Sequence, residues 1–498
     1  FLIGTGAFCL RWLPTFWAWL KRGERVFLGV YNLRNVEDIW SHWAAMYQGR
    51  AGRLLFTNPY GPEVQGRFLI YLPYLLLGRL SRLINISLET AYFLASLFLT
   101  LALALAIFKF SRLFFKNRRW CLLAAGLVLF SGPILFLFPS EAVIFLSFTQ
   151  PYFILAHLCL ILIFDHFLRF ENLVSVKQKA RSIIVILLAG LGLSLVHFFM
   201  NLLVAVILLL WLFFSFFNQS GRKTNWRPLV WFLTSSAPVS LYFVFLSQNP
   251  LFVRTWISQN IIPSFPPFLV LLWVGFIIFL IPFSFFQVKK NSKVAFLIIW
   301  FGCQFLFTYL PLRLQRRFVE GWWLSVVFLA VLGLRFIWQK NRKKSFSFQL
   351  GFLLCLFSLA GNLALVFTQF FLLADPVEDV SLYVSPAEVE AWHFLKPNCH
   401  SAELVLTDYP RGVYLPSKTG CRSFIGHPVI THDYRAKSQD WQKLFSGEWD
   451  SAKTNDFLKE SKIKFVFLPH ETAQKTALAG ISSLKLIFKN EEFVIYER

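Results

Sequence analysis

Residues 198–217 read FFMNLLVAVILLLWLFFSFF, twenty positions without a charged side chain. An apolar run of about 18 or more residues is long enough to cross a bilayer as a helix. Similar runs recur along the chain, whose 498 residues are 56% hydrophobic and only 15% charged. An ordinary soluble domain carries about 25% charged residues. The sequence therefore predicts a mainly α, polytopic transmembrane helical bundle.

Eleven membrane spans are predicted from these runs. They are the run ending near Leu20 and then residues 88–108, 120–138, 151–168, 182–197, 198–217, 228–247, 266–288, 294–311, 322–338 and 347–373. Residues 67–84 are apolar but carry three arginines, which favours an interfacial helix that does not cross. The chain begins on Phe1 inside an apolar run, so we expect the start of the first helix to lie upstream.

The basic residues orient the chain. Lysines and arginines are concentrated in five short loops, near residues 109–119, 169–181, 222–227, 289–293 and 335–344. The positive-inside rule assigns these loops to the cytoplasm of a bacterial inner membrane. This topology accounts for the net charge of +23, so no nucleic-acid partner is predicted. It also assigns outer loop one, residues 21–87, and the C-terminal region to the outside.

The C-terminal region changes character, because charged residues return and apolar runs shorten. Residues 376–498 predict an extracytoplasmic α/β domain, with 1–375 as the transmembrane domain. Strands are expected at 403–407, 464–468 and 493–496, and helices near 387–395, 434–446 and 452–461. Cys399 and Cys421 lie in this outer region, where they either form a disulfide or remain thiols.

Acidic side chains gather in outer loop one. Glu37 and Asp38 begin a predicted short helix, Glu37–Gln48, and Glu63 follows a turn-rich segment. A partly desolvated carboxylate can act as a general acid or base, so we predict all three as catalytic candidates. Asp38, with Glu141 of a later outer loop, could instead hold a divalent cation such as Mg²⁺ or Mn²⁺. The structural alternative is a solvated loop or an ordinary helix cap.

The last outer loop carries Arg313, Arg316 and Arg317, although the positive-inside rule disfavours cations there. Guanidinium groups bind phosphate in a bidentate manner, so these residues are predicted to hold a lipid phosphate. The alternatives are a salt bridge to Glu320 or side chains that reach the interface.

Three further side chains are additional candidates for the same outer site: His197, Glu320 and His427. A histidine such as His197, at the end of a span, is more commonly a packing residue. Gly426-His427 and Thr431-His432-Asp433 form a polar cluster whose spacing matches no metal site. No phosphate-binding loop of the nucleotide-binding type occurs either, which argues against an ATP-driven pump.

The order of these parts resembles the GT-C membrane glycosyltransferases, which include protein O-mannosyltransferases, aminoarabinose transferases and the catalytic subunit of oligosaccharyltransferase. It is also similar to uncharacterised bacterial multi-span proteins of that type. The matching motifs are Asp38, Phe56-Thr57-Asn58-Pro59-Tyr60 with Glu63, Gln315-Arg316-Arg317-Phe318-Val319-Glu320-Gly321, and Gly426-His427 with Thr431.

The resemblance implies an enzyme that moves a sugar from a polyprenyl-phosphate carrier to an acceptor on the outer face of the membrane. Asp38 then corresponds to the acid of loop one, which acts as base or metal ligand. The donor lipid and the surrounding membrane lipid are the implied partners, and the acceptor is left open between glycan, lipid and protein. The alternative is a non-enzymatic membrane protein, such as a lipid or glycan binder, a flippase or an assembly scaffold.

Overall fold

The structure is a computed structural model, and it describes residues 1–31, 36–63, 65–132, 143–218, 225–341, 344–374, 382–399 and 403–498. The candidate Glu141 lies outside these ranges. Helix accounts for 68% of the structure, in agreement with the predicted mainly α fold.

The helices, in chain order, are α1 Leu2–Leu20, α2 Val36–Arg50, α3 Leu72–Leu83, α4 Leu88–Ser111, α5 Arg118–Phe130, α6 Ile144–Ser147, α7 Pro151–Phe170, α8 Val176–His197, α9 Met200–Asn218, α10 Arg227–Leu246, α11 Pro250–Phe252, α12 Pro267–Val274, α13 Ile281–Ser284, α14 Lys293–Phe307, α15 Trp322–Lys340, α16 Lys344–Ala374, α17 Pro386–Asn398, α18 Arg411–Thr419, α19 Tyr434–Phe445, α20 Ser451–Glu460 and α21 His470–Lys475. Short 3₁₀ segments include Gln315–Val319, which leads into α15.

Eight stretches of the described residues are helical, long and apolar enough to cross a membrane: Leu88–Ser111, Pro151–Phe170, Val176–His197, Met200–Phe217, Arg227–Leu246, Pro267–Gln287, Gln315–Lys340 and Gln349–Leu373. The chain is a multi-pass membrane protein. Each of the eight overlaps one predicted span.

The other three predicted spans fall on helices that do not meet this criterion. They are α1, α5 with 13 residues, and α14 with 15 residues. The total of eleven spans therefore stays a prediction. The predicted span 266–288 contains a break, because regular α-helix ends at Val274 and a 3₁₀ segment begins at Gly275.

Two compact units make up the chain. Unit 1 contains residues 1–13, 93–245 and 261–371, and unit 2 contains residues 14–92, 246–260 and 372–498. In unit 1, helix α15 is buried on every face from Trp322 to Leu334. A helix that is apolar all round belongs in an interior. Gly333 allows α15 to approach closely, since a Cβ there would collide with the carbonyl oxygen of Leu280.

In unit 2, helices α2 and α3 cross at two glycines. A Cβ on Gly49 would collide with the carbonyl oxygen of Leu75, and a Cβ on Gly78 with that of Met46. Only glycine lets the two backbones approach this closely. A helix predicted within residues 67–84 is observed as α3, and its interfacial position stays a prediction. The short helix predicted at Glu37–Gln48 is α2.

Unit 2 also contains the strands β1 Val26–Phe27, β2 Tyr383–Val384, β3 Leu404–Leu406, β4 Arg422–Ser423, β5 Ile463–Pro469, β6 Lys485–Lys489 and β7 Phe493–Glu497. Strands β1 and β2 pair with each other, and the remaining five form a sheet in the order β4-β3-β5-β7-β6. Strand β3 is parallel to β4 and β5, and β7 is antiparallel to β5 and β6.

The local elements predicted for the C-terminal region are observed. The three expected strands are β3, β5 and β7, and the three expected helices are α17, α19 and α20. Ser385 caps α17, since its hydroxyl accepts from the N–H of Glu388 at 3.2 Å. A disulfide joins Cys399 to Cys421, which decides between the two alternatives for this pair.

Candidate active site

Asp38 and His427 are hydrogen-bonded to each other in unit 2. The imidazole Nε2 of His427 lies 2.9 Å from Oδ1 of Asp38. His427 is buried, with 6% of its side chain exposed, whereas 27% of the Asp38 side chain reaches solvent. Asp38 stands in the first turn of α2, where the helix dipole favours a negative charge. The pair therefore combines a solvent-accessible carboxylate with a buried donor.

The second ring nitrogen of His427 determines which way this bond runs. The backbone N–H of Val429 donates to Nδ1 of His427 at 3.0 Å. A nitrogen that accepts a hydrogen bond carries no proton, so in the neutral ring the proton is on Nε2. His427 consequently donates to Asp38 and fixes the direction in which this carboxylate points.

The loop that carries His427 is itself tightly held. The backbone N–H of Thr431 donates to the carbonyl of His427 at 2.9 Å, and the hydroxyl of Thr431 accepts from Gly426 at 3.3 Å. A Cβ on Gly426 would collide with the ring of Tyr60. The predicted cluster Gly426-His427 with Thr431 is thus a structural unit that presents the imidazole.

The predicted motif of residues 56–60 packs beside this loop. The side-chain amide of Asn58 donates to the carbonyl of Ile430 at 2.6 Å. Ser423 of β4 donates its backbone N–H to Pro59, and Gly61 donates to the carbonyl of Ser423. This segment of outer loop one therefore lies along strand β4 and ties α2 to the His427 loop.

Glu37 and Glu63 each have a partner of their own. The Tyr409 hydroxyl donates to Oε1 of Glu37 at 3.0 Å. Burial, followed by the charge of Glu37, raises the pKa of Tyr409, so this hydroxyl keeps its proton. Glu63 binds Nζ of Lys437 at 2.5 Å, and burial lowers the pKa of Lys437 despite this partner.

The structure thus separates the three predicted carboxylates by environment. Asp38 faces a histidine, Glu37 a tyrosine and Glu63 a lysine. The backbone carbonyl of Glu63 also accepts from Arg422 at 2.9 Å. Glu63 therefore has the surroundings of an ion pair that supports the loop, whereas Asp38 is a carboxylate oriented by a histidine.

In unit 1, the candidates Glu320 and His197 form a buried pair. Nδ1 of His197 contacts Oε2 of Glu320, and only 6% and 2% of the two side chains are exposed. The backbone carbonyl of Glu320 accepts from the side-chain amide of Gln304. The side-chain oxygen of Gln304 accepts in turn from the indole N–H of Trp300. A buried carboxylate is costly without a partner, and His197 is the partner that Glu320 contacts.

The three arginines lie at the same end of helix α15, on the segment before Glu320. The guanidinium of Arg316 stands over the ring of Phe265 at 5.7 Å, and that of Arg317 over Phe153 at 5.9 Å. Phe153 also contacts the ring of His197, at 5.2 Å between centroids. Arg313 is exposed. Glu320 thus contacts His197, and the guanidinium groups of Arg316 and Arg317 each lie over an aromatic ring.

No group of three or more His, Cys, Asp or Glu side chains that could hold a metal occurs among the described residues. The Nε2 of His427 is a donor to Asp38, so this imidazole is not oriented as a metal ligand. Glu141, the second predicted ligand, lies outside the described ranges. A divalent cation on Asp38 and Glu141 stays a prediction.

Four residues of these networks were not predicted from the sequence: Tyr409, Arg422, Lys437 and Gln304. Each is bonded to a predicted residue that lies far away in the sequence or on another element. Their neighbours in sequence form no motif, so no local signal could have identified them.

No family model and no curated protein matches the chain. Solved structures do resemble it. The oligosaccharyltransferase of Archaeoglobus fulgidus in its apo form aligns with a TM-score of 0.61 and 12% identity over 94% of this chain and 69% of that chain. ArnT from Cupriavidus metallidurans aligns with a TM-score of 0.55 and 12% identity over 99% of this chain and 98% of its own.

The arabinofuranosyltransferase AftD from Mycobacteria also resembles the chain, with a TM-score of 0.60 and 12% identity over 100% of this chain and 41% of that one. ArnT is also known bound to undecaprenyl phosphate, and AglB from A. fulgidus in complex with an inhibitory peptide and a dolichol-phosphate. A further structure of the A. fulgidus enzyme is a complex with Zn and sulfate. At this level of identity the likeness establishes the fold, which is the GT-C fold predicted from the sequence.

Proposed function

We propose that this chain, which has the fold of the GT-C membrane glycosyltransferases, transfers a sugar from a polyprenyl-phosphate carrier to an acceptor at the outer face of a bacterial cytoplasmic membrane. The observation that carries the proposal is the oriented Asp38 carboxylate, to which His427 donates at 2.9 Å. The lipid phosphates bound by ArnT and AglB support the class of donor.

In the proposed reaction Asp38 acts as the general base. It accepts the proton of the acceptor hydroxyl, and the acceptor oxygen forms a bond to the anomeric carbon of the sugar. The bond from that carbon to the phosphate oxygen breaks, and its electron pair leaves with the lipid phosphate. A positioned general base contributes about 10²–10⁴-fold to such a step. His427 keeps Oδ1 of Asp38 in place and leaves the carboxylate accessible at its exposed side.

Arg316 and Arg317 are proposed to bind the phosphate of the carrier, and Arg313 to assist from its exposed position. Guanidinium groups stabilise the negative charge that develops on a departing phosphate. Asp38 belongs to unit 2 and the arginines to unit 1, so their joint action is part of the proposal. Residues 1–375 are proposed as the membrane part of the enzyme and 376–498 as its extracytoplasmic part.

A transfer assay tests the catalytic assignment. The purified protein is reconstituted into liposomes with undecaprenyl-phosphate-linked radiolabelled sugars, and label is followed from the lipid to membrane and glycan acceptors. We expect Asp38→Asn to lower transfer by about 10²-fold or more, while binding of undecaprenyl phosphate is kept. Arg316→Ala and Arg317→Ala should weaken that binding.

Asp433→Asn is the matched control, because Asp433 is 67% exposed in the same unit and lies in the left-handed backbone region that asparagine tolerates. Equal transfer by wild type and Asp38→Asn would refute Asp38 as the base. Binding of undecaprenyl phosphate without transfer of any sugar would favour the non-enzymatic alternative, a lipid binder, flippase or scaffold.

The proposed topology has a separate test. Ser446→Cys and Lys116→Cys place thiols at exposed positions of the C-terminal region and of a basic loop. A membrane-impermeant maleimide added to intact cells should label the first and spare the second. The opposite labelling would contradict an extracytoplasmic C-terminal region.

A further inference from the structure

A cavity of about 220 Å³ lies within unit 2, at the C-terminal end of helix α2. Its walls include Tyr47 and Arg53 from outer loop one, and Cys399, Gly420 and Arg422 from the C-terminal region. The disulfide between Cys399 and Cys421 fixes one wall. Tyr47 follows Asp38 by nine residues, which is about 14 Å along the helix axis. The cavity is therefore distinct from the Asp38–His427 site.

Arg53, one of the two cations in this wall, has no acidic partner among the described residues. Among the described residues that line the cavity, none is acidic. The guanidinium of Arg53 forms neither an ion pair nor a side-chain hydrogen bond within the described part of the chain. Burial and the neighbouring charge of Arg67 lower the pKa of Arg53. Among the described residues, the charge that acts on the pKa of Arg53 is thus that of another cation, Arg67.

The guanidinium of Arg422 has an N–H donor that is not used by any described residue. Its Nη2 donates to the backbone carbonyls of Gly61 and Glu63. Its Nε is buried, and within the described residues it has no hydrogen-bond partner. Burial lowers the pKa of Arg422, with an opposing contribution from Glu63. A buried donor without a partner is unfavourable, and a ligand oxygen within hydrogen-bond distance would satisfy it.

The chemistry of the cavity points to an anion. Two guanidinium groups offer N–H donors in planar forks, which match the oxygens of a phosphate or a carboxylate. The volume lies below the roughly 300–1,000 Å³ of ordinary small-molecule sites. A single charged group or one acidic sugar residue is the size that fits.

We propose that this cavity is a binding site for an oxyanion, a phosphate or a carboxylate, which Arg53 and Arg422 hold beside the Cys399–Cys421 disulfide. The proposal does not depend on the transfer reaction, since it concerns residues outside the Asp38–His427 site. A free phosphate and a carboxylated sugar share the necessary chemistry, and a comparison of inorganic phosphate with glucuronate distinguishes them.

Binding is measured on the full chain in detergent micelles by isothermal titration calorimetry, with inorganic phosphate and with glucuronate as probes. Glucose is the neutral control. We expect binding of at least one anion and no binding of glucose. Arg53→Gln should weaken the binding by 10-fold or more, whereas Arg53→Lys, which keeps the charge, should lose less. Tighter binding of phosphate identifies a phosphate ligand, and tighter binding of glucuronate identifies an acidic sugar.

Arg435→Gln is the matched control, because Arg435 is exposed on α19 of the same unit and does not line the cavity. Arg53→Gln is the primary variant, since Arg422 also supports the loop through two carbonyls and its loss could unfold that loop. The proposal is overturned if wild type binds neither anion at millimolar concentration. It is equally overturned if Arg53→Gln and Arg435→Gln bind as tightly as wild type.

Discussion

His427 donates its Nε2 proton to Oδ1 of Asp38 across 2.9 Å, although the two residues are 389 positions apart in the sequence. One belongs to outer loop one and the other to the loop that follows strand β4. A histidine that donates to a carboxylate orients it, as in the networks that hold metal ligands and catalytic groups. The pair joins outer loop one to the C-terminal region.

The first prediction concerns His427 as a positioning residue. His427→Ala should lower the turnover number by about 10–100-fold, the usual effect of losing a supporting hydrogen bond. The KM for the lipid-linked donor should change little, because His427 does not contact the phosphate in the proposed mechanism. His427→Gln retains an N–H donor and should recover part of the rate. Steady-state kinetics in liposomes check this.

His393→Ala is the control for this experiment, since His393 is exposed on α17 of the same unit. A purely structural role would lower the amount of folded protein and leave the turnover number per folded molecule unchanged. That result would remove His427 from the catalytic machinery.

The second prediction concerns the buried pair of His197 and Glu320. Removing one partner leaves the other buried without its counterpart, which costs about 3–5 kcal/mol. Glu320→Leu and His197→Phe should each destabilise the protein by about this amount. The double variant should lose much less than the sum, because neither polar group is then left behind.

Urea unfolding in micelles, followed by tryptophan fluorescence, measures this coupling. Ser194 lies one turn before His197 on the same helix and is buried, so Ser194→Ala combined with Glu320→Leu provides a comparison pair. Additive effects in the His197 and Glu320 variants would show that the two side chains do not stabilise each other.

The third prediction concerns the crossing of α2 and α3. Gly78→Ala should destabilise the protein by about 1–3 kcal/mol, because the added methyl group overpacks a closed contact with the carbonyl of Met46. It should also lower activity, since α2 carries Asp38. Thermal unfolding and transfer assays measure the two effects.

Gly126→Ala is the matched control for this substitution. Gly126 lies inside helix α5, and a Cβ there meets nothing within 4 Å. Alanine is favoured over glycine in a helix by about 1 kcal/mol, so this variant should be as stable as wild type or more so. Equal melting temperatures for both variants would mean that α2 and α3 leave room for a methyl group at position 78.

The fourth prediction concerns pH and Lys418. The Lys418 ammonium stands 4.8 Å from the ring centre of Trp43 and 3.4 Å from the carboxylate of Glu89. Burial lowers the pKa of Lys418 below its usual 10.5, although Glu89 opposes this. Between the folded pKa and 10.5 the unfolded chain therefore binds more protons, and the stability contributed by this group rises with pH.

Lys418→Met removes that dependence. As the pH rises from 7 to 9.5, wild type should gain stability relative to Lys418→Met, by less than about 1.4 kcal/mol per pH unit. The contribution of Lys437, whose pKa burial also lowers, is common to both proteins and cancels. Lys443→Met, at an exposed position of α19, is the control. A difference that is constant with pH, or that shrinks as the pH rises, would contradict the prediction.

Much of the fold follows from the sequence, because the signals involved are local. Apolar runs with few charged residues predicted each of the eight apolar helices that can cross a membrane among the described residues. The helix expected near 387–395 is observed as α17. The break inside the predicted span 266–288 was not predicted, since the change to 3₁₀ geometry at Gly275 has no strong local signal in the sequence.

The candidate site was predictable only in part. The sequence indicated Asp38 and His427 as candidate site residues. It also indicated Arg316 and Arg317 as cations in a loop where the positive-inside rule disfavours them. It could not predict that His427 binds Asp38, that Lys437 binds Glu63, or that His197 binds Glu320. These pairings join residues that are far apart along the chain.

The sequence by itself determined a helical membrane protein, its apolar spans and the local elements of its C-terminal region, because hydrophobic runs and helix caps act over a few residues. Only the tertiary structure decided which residue faces Asp38. Strand β4 pairs beside Pro59 and Gly61 and thereby brings the His427 loop to the start of α2. Such a pairing depends on how distant segments pack, and no local pattern encodes it.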